Sequence, residues 1–370
     1  MSRFEHTLLK LVVTPPGIAR EDLPSSVVLK AFSRDGRLGQ PSAQADAETP
    51  YLPFIASKYR GRSTSKPMVP VIDLCGVSGQ SVETLATACA DWGVFHVVNH
   101  GIDAALIASV QAASRDFFRL PLPVKQTVSR TMDNPFGYYD RELTKNLRDR
   151  KEIFDYAPGE TTPWPASPPG FQAILEDYAL ACHRLALQLI AVCCEGLGAD
   201  GDTLERHFRC GHSSFLRLNY YPSIDPLSGA DAPPAGPYGI SQHSDAGAIT
   251  VLLQDELAGL EVLRDGLWVE VAPMAGALTI NIGDMLQVWS NDRYLAPLHR
   301  VRASGERARY STAYFCNPDY STIVTPLSNA APAANTALYK PISWAEFRRL
   351  RAMGDYGDYG EEVQISHFRV

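Results

Sequence analysis

The chain has no cysteine pair in C-x-x-C spacing, no dense basic tract, no evident internal repeat and no apolar run that reads as a membrane span. Its seven cysteines (75, 89, 182, 193, 194, 210 and 316) are odd in number, so they cannot close into a complete set of disulfides, and a reducing compartment is expected. The opening MSRFEHTLLKLVVTPPG carries only a few apolar residues before its prolines, too few for a signal segment, so the expected location is the cytosol. A formal charge of −7 and a pI near 5.7 offer no general attraction for nucleic acid or an anionic membrane. What remains is a small-molecule partner, with a monomer as the expected state and an oligomer left open.

What is present fits a packed protein: 370 residues, 45% apolar and 20% charged, enough for one large or two ordinary domains. Residues 1–66, rich in Pro, Ser, Ala and charge without periodicity, read as an N-terminal extension. Residues 67–170 form an α/β region: VPVIDL predicts a buried strand, SVETLATACADWG a helix capped by Ser81 and stopped by Gly93, and GVFHVVNHGI a second strand. Residues 171–208 hold supporting helices. Apolar positions 174, 175, 178, 181, 185, 189 and 192 have helical spacing, Gly196 or Gly198 ends the run, and Asp202 with Glu205 suggests a capping box for a short helix through Phe208. Between 209 and 325 the segments FLRLNYY, AITVLL, LEVL, LWVEV, ALTINI and RYSTAYF are β-rich and turn-separated, as in a barrel or sandwich. Residues 326–370 supply a C-terminal helix, ISWAEFRRLRAMG, and an acidic tail whose Glu361 and Glu362 read as solvated.

Chemistry concentrates in the β-rich part. In HSDAG, residues two apart on a strand share a face, so His243 and Asp245 can point together into a barrel mouth. His299, in PLHRV, is the candidate third ligand. Two imidazoles and a carboxylate leave three positions open on an octahedral ion, the arrangement of non-haem Fe(II) oxygen chemistry; Zn(II) in a hydrolytic or structural site accepts the same ligands. His96, His100, His183, His207 and His212 read as surface or core histidines. Alternation through RYSTAYF puts Arg309, Ser311, Ala313 and Phe315 on one face, and a guanidinium facing an apolar interior is costly unless an anion meets it. Its fork beside a hydroxyl matches a carboxylate. In LRLNYYP, Arg217, Asn219 and Tyr221 share a face that can hydrogen-bond a bound acid, and Arg217 suggests an acidic or phenolate group on the substrate. Tyr138, Tyr139 and Phe154 read as core aromatics rather than pocket lining.

PVIDL, WGVFHVVNHGI, FFRLPLPVK, LRLNYYP, HSDAGAITVLLQD, GLWVEVAP, NIGDMLQVWSNDRYLAPLHRV, RYSTAYFCNP and GEEVQISHF occur in that order. Over about residues 67–366 the chain thus resembles the 2-oxoglutarate- and Fe(II)-dependent dioxygenases of the isopenicillin N synthase-like group. The resemblance implies an α+β fold, a double-stranded β-helix (jelly-roll) with flanking helices, using Fe(II), 2-oxoglutarate as cosubstrate and O2. It implies His243, Asp245 and His299 as catalytic iron ligands. Arg309 and Ser311 would hold the distal carboxylate of 2-oxoglutarate, helped by Tyr221 and Asn219, and Phe315 and Arg217 would face the primary substrate. The implied reaction is hydroxylation, desaturation or cyclisation of a small organic molecule, with succinate and CO2 formed. Ser244 stands where relatives usually have Thr, and Ala296 where Ser is common; neither removes a metal or anion contact. An oxoacid-independent oxidase of the same fold, a non-catalytic barrel binding a small acid and a zinc hydrolase remain the alternatives.

Overall fold

The computed structural model describes residues 68–370 apart from 76–78, 132, 145–146, 226, 228–234, 331–336 and 355–362. The N-terminal extension, Glu361 and Glu362 lie outside the described residues. Val71–Asp73 (β1) pairs in parallel with Val94–Val98 (β2), and Gly79–Asp91 (α1) crosses between them. The first strand lies at a sheet edge with only Ile72 buried, so the fully buried strand expected there is half exposed. The helix begins two residues ahead of Ser81, which sits inside the first turn instead of capping it.

Ala104–Phe118 (α2) follows, its first turn closed by the Asp103 carboxylate accepting from the Ala105 N–H at 2.7 Å. Gly137–Tyr139 (β3) and Glu152–Tyr156 (β4) lead into the long helix Phe171–Gly196 (α3). Glu205–His207 makes only a single 3₁₀ turn, with the Glu205 carboxylate drawn to Arg209 at 3.1 Å, so the expected capping box does not form. The β-rich region supplies Phe215–Tyr221 (β5), Tyr238–His243 (β6), Ile249–Gln254 (β7), Leu260–Arg264 (β8), Leu267–Glu270 (β9), Leu278–Ile282 (β10), His299–Arg302 (β11) and Arg309–Cys316 (β12). Asp284–Trp289 (α4) follows β10, and Trp344–Gly354 (α5) lies near the C-terminus.

The two larger sheets are an eight-stranded one ordered β1-β2-β10-β7-β12-β5-β4-β3 and a four-stranded one ordered β9-β8-β11-β6. Strand periodicity decides what lies on each side of the larger sheet. Ile249, Val251 and Leu253 of β7, Leu278, Ile280 and Ile282 of β10, and Leu216 and Leu218 of β5 join one core with α1, α2 and α3. Burying each such side chain contributes about 1.5–3 kcal/mol. A smaller core, including Leu252, Leu260, Val262, Val301 and Ala313, lies between the two sheets. The rest of that inner face is polar: Asn219, Thr250, Gln254, Thr279, Asn281, Arg309 and Ser311, all buried.

By length and composition α3 is apolar enough to cross a membrane, against the sequence expectation that no segment is. Its apolar side, with Leu175, Tyr178, Cys182, Leu185 and Leu189, is instead buried in the larger core.

Candidate metal centre and anion pocket

His243 is the last residue of β6, and His299, the first of β11, is its direct cross-strand partner. Asp245 lies beyond the strand end, so the expectation of two ligands alternating along one strand holds for His243 alone. The backbone leaves the sheet there because the start of α4 binds it: Asp284 N donates to Asp245 O at 2.7 Å and Met285 N to Gly247 O at 2.9 Å. Glycine is needed at this contact. A Cβ on Gly247 would fall 2.0 Å from Asn317 Oδ1, and one on Gly283 would fall 2.3 Å from Gly247 O.

The three side chains converge. Asp245 Oδ1 is 3.5 Å from His299 Nε2 and 3.7 Å from His243 Nε2, separations that one ion with bonds of about 2 Å spans. Each imidazole uses its other nitrogen on a backbone carbonyl, His243 Nδ1 on Ser241 O at 2.8 Å and His299 Nδ1 on Pro297 O at 3.0 Å. A carbonyl can only accept, so each ring carries its proton on Nδ1 and turns the Nε2 lone pair toward the shared point. Asp245 Oδ2 accepts from Thr250 Oγ1 at 2.6 Å and Asn281 Nδ2 at 3.4 Å, leaving Oδ1 for the ion. Burial and the neighbouring His299 push His243 down to about 3. Burial alone would raise Asp245, but the two imidazoles and the Thr250 hydroxyl hold it well below the carboxylate range. For His299 burial is likewise overcome, here by Asp245, and its value rises. This donor set, tautomers included, fits a divalent ion, and among the described residues no other group of His, Cys, Asp and Glu converges this way.

The anion pocket comes from β12 and β5, whose register pairs Arg309 with Tyr221, Ser311 with Asn219, Ala313 with Arg217 and Phe315 with Phe215. Arg309 is 2% exposed, and its guanidinium lies 5.1 Å from the Tyr221 ring centre. Nε donates to Leu257 O at 3.2 Å and Nη2 to Gln254 Oε1 at 2.9 Å, while Nη1 has no partner among the described residues. Gln254 is turned by donating to Thr279 Oγ1 at 3.1 Å and Val271 O at 3.3 Å. Asn219 Oδ1 and Asn281 Oδ1 are also buried without a partner among the described residues. Buried polar atoms are normally satisfied, so these open valences are positions for a bound polar molecule. Metal trio and anion pocket line one cavity of about 330 Å³.

Phe315 lines that cavity, stacked on Phe215 at 4.6 Å between ring centres. Arg217 lines it too, with its charge already balanced: its guanidinium meets Glu142 at 2.9 Å through two nitrogens and Asp155 at 2.8 Å through two. Lys151 completes the wall, 2.6 Å from Glu142 and 3.0 Å from Asp149, and Arg130 reaches Glu142 at 3.1 Å. Burial would raise Glu142, but Arg217, Lys151 and Arg130 hold it well below its ordinary 4.5. Glu142, Lys151, Gln254 and Asn281 escaped the sequence reading. Even-numbered spacing from Thr250 through Leu252 would have found Gln254; nothing local marks Glu142 or Lys151, whose partners are distant in sequence. Tyr138 and Phe154 lie in the larger core and Tyr139 packs beneath Arg130, as expected of aromatics outside the cavity. Of the remaining histidines, His96 bonds Thr279, His183 stacks on His212 and His207 on Trp289.

The profile of the 2OG-Fe(II) oxygenase superfamily matches residues 212–318, and that of the N-terminal region of non-haem dioxygenases in morphine synthesis matches 69–170. Flavanone 3-dioxygenase 2 of Oryza sativa subsp. japonica is 34% identical over 315 residues, covering 82% of this chain and 86% of its own. Jasmonate-induced oxygenase 4 of Arabidopsis thaliana is 35% identical over 294 residues, 76% of this chain and 81% of its own. Among solved structures, JOX2 in complex with 2OG, Fe and JA superposes with a TM-score of 0.68 at 28% identity, covering 86% of this chain and 96% of that one.

Proposed function

The chain belongs to the 2OG-Fe(II) oxygenase superfamily, and from that premise we propose how its residues divide the work of oxidising a small organic molecule at the expense of 2-oxoglutarate. It is an oxidoreductase of jelly-roll fold that uses Fe(II), 2-oxoglutarate and O2. Iron, when bound, supplies the redox chemistry with oxygen that no side chain here can perform.

His243, Asp245 and His299 would hold the ion at the wall of the cavity they line. Arg309 grips the far carboxylate of 2-oxoglutarate through its open Nη1, with Ser311 adding a hydroxyl and Tyr221 and Asn219 lining the approach. Gln254 keeps the guanidinium from turning away. Fixing both ends of the oxoacid sets its orientation before reaction, which is where positioning contributes most. The single observation carrying this reading is that the unsatisfied Arg309 nitrogen and the convergent trio open into the same cavity.

A cavity of about 330 Å³ admits a small molecule rather than a polymer segment. A relative named for acting on a flavanone and a similar structure solved in complex with JA support that size class. The same reading takes the chain as a monomer in the cytosol, without nucleic acid or membrane, in keeping with seven free cysteines, five of them buried. The test is stoichiometry: with Fe(II), oxoacid and substrate present, succinate should form in step with product, and product without succinate overturns the reading.

A further inference from the structure

Resting on that reading, we propose that Arg348 of α5 is the anion receptor for the primary substrate, and that this substrate is an apolar or aromatic small molecule carrying a carboxylate. The cations lining the cavity are Lys151, Arg217, Arg309, Arg348 and Arg351. Lys151 and Arg217 are neutralised by Glu142, Asp149 and Asp155. Arg309 is turned to the oxoacid. Arg351 is held by oxygens of Ser244 at 2.6 Å and of Val363 and Gln364 at 3.3 Å. Arg348 alone of the five forms neither a hydrogen bond nor an ion pair among the described residues.

Its surroundings define the ligand. The Arg348 guanidinium lies 5.6 Å from the Phe215 ring centre, and Phe215 stacks on Phe315 with the rings 21° apart. Leu143, Leu350 and Val363 add apolar surface to the same cavity. A guanidinium drawn partly out of water beside aromatic faces and lacking a counter-charge is matched by a carboxylate on an apolar body: the fork binds the acid while the rings cover the rest. The wall behind it reinforces the choice. Glu142, Asp149 and Asp155 balance Arg130, Lys151 and Arg217 charge for charge, so nothing there competes for an incoming anion. The anionic preference first read from Arg217 therefore belongs to a residue on a different element.

The experiment is titration calorimetry on the full chain without oxygen, with Fe(II) and excess 2-oxoglutarate so that Arg309 is occupied. The probes are a panel of aromatic and alicyclic monocarboxylic acids, each paired with its methyl ester. The tightest ligands should be acids, each bound about tenfold or more tighter than its ester, as a charge-assisted fork provides. Arg348→Gln should bring acid affinity down to that of the ester with ester binding retained, and Arg348→Lys should restore part of the gap. Esters that bind as well as acids, a panel in which no acid binds, or a gap that survives Arg348→Gln overturns the assignment. Retained ester binding separates a lost contact from a lost fold. Acid-selective binding without succinate formation on admitting oxygen overturns the oxygenase reading alone; succinate formation without acid preference overturns the Arg348 assignment alone.

Discussion

At the scale of single residues, the site depends on which atoms are left open and which are tied down. Arg309→Gln removes the fork and should raise the KM for 2-oxoglutarate about a hundredfold, the size of a charge-assisted pair. Arg309→Lys should recover only part of it, since an ammonium cannot present two parallel donors. Gln254→Leu removes the acceptor that holds Nη2 at 2.9 Å, so the guanidinium can swing. KM for the oxoacid should rise about tenfold with kcat little changed; a fall in kcat at constant KM would show that Gln254 acts elsewhere. Thr250→Val removes the hydroxyl donated to Asp245 Oδ2, and metal affinity measured by titration should fall about tenfold to a hundredfold.

At the scale of elements, α5 is coupled to the loop that carries the metal ligands. Arg351 Nη2 donates to the carbonyl of Ser244, the residue between His243 and Asp245, at 2.6 Å. Arg351→Met keeps much of the packing and loses the bond. Weaker metal binding together with a rise of substrate KM is expected, and a change in only one of the two would break the link between helix and loop. What was legible in the sequence follows the same division. The His243-x-Asp245 pair and the Arg309 face could be read because residue type and short spacing are local properties. Strand β4 could not, since its Glu152 and Asp155 are buried in ion pairs with Lys125 and Arg217 and break the apolar alternation that marks a strand. Nor could the ion pairs of Arg217, because Asp155 and Glu142 lie 62 and 75 positions away. Asp245 was assigned to a strand because spacing carries no sign of the α4 contact that bends its backbone out of the sheet.

At the scale of the whole molecule, the charged wall ties stability to pH. Glu142 has a folded value below its ordinary 4.5, so the stability it contributes is fully present above 4.5 and is lost as pH falls toward the depressed value. Lys151 behaves inversely. Burial lowers it, but Asp149 and Glu142 raise it above its ordinary 10.5, so its contribution is present below 10.5 and is lost as pH rises past it. Urea denaturation across pH should show a plateau between those limits, and Glu142→Gln should flatten the acid limb. That substitution leaves buried cations without their counter-charge, and a loss of about 3–5 kcal/mol at neutral pH is expected. Metal adds to the same balance: Fe(II) bound to the native chain alone should raise the melting temperature with concentration, and a chelator should reverse the rise.

The two-sided larger sheet has one more consequence. In β7 the odd positions, 249 to 253, face the helices, whereas Thr250 and Leu252 line the cavity and Gln254, on the same side, holds Arg309. In β12 the parity is inverted. Folding and chemistry are thus written on separate registers of the same strands, so drift in one set can retune what the chamber accepts while the scaffold is inherited unchanged. A single deletion within either strand would exchange the two scripts at once, and it would erase both.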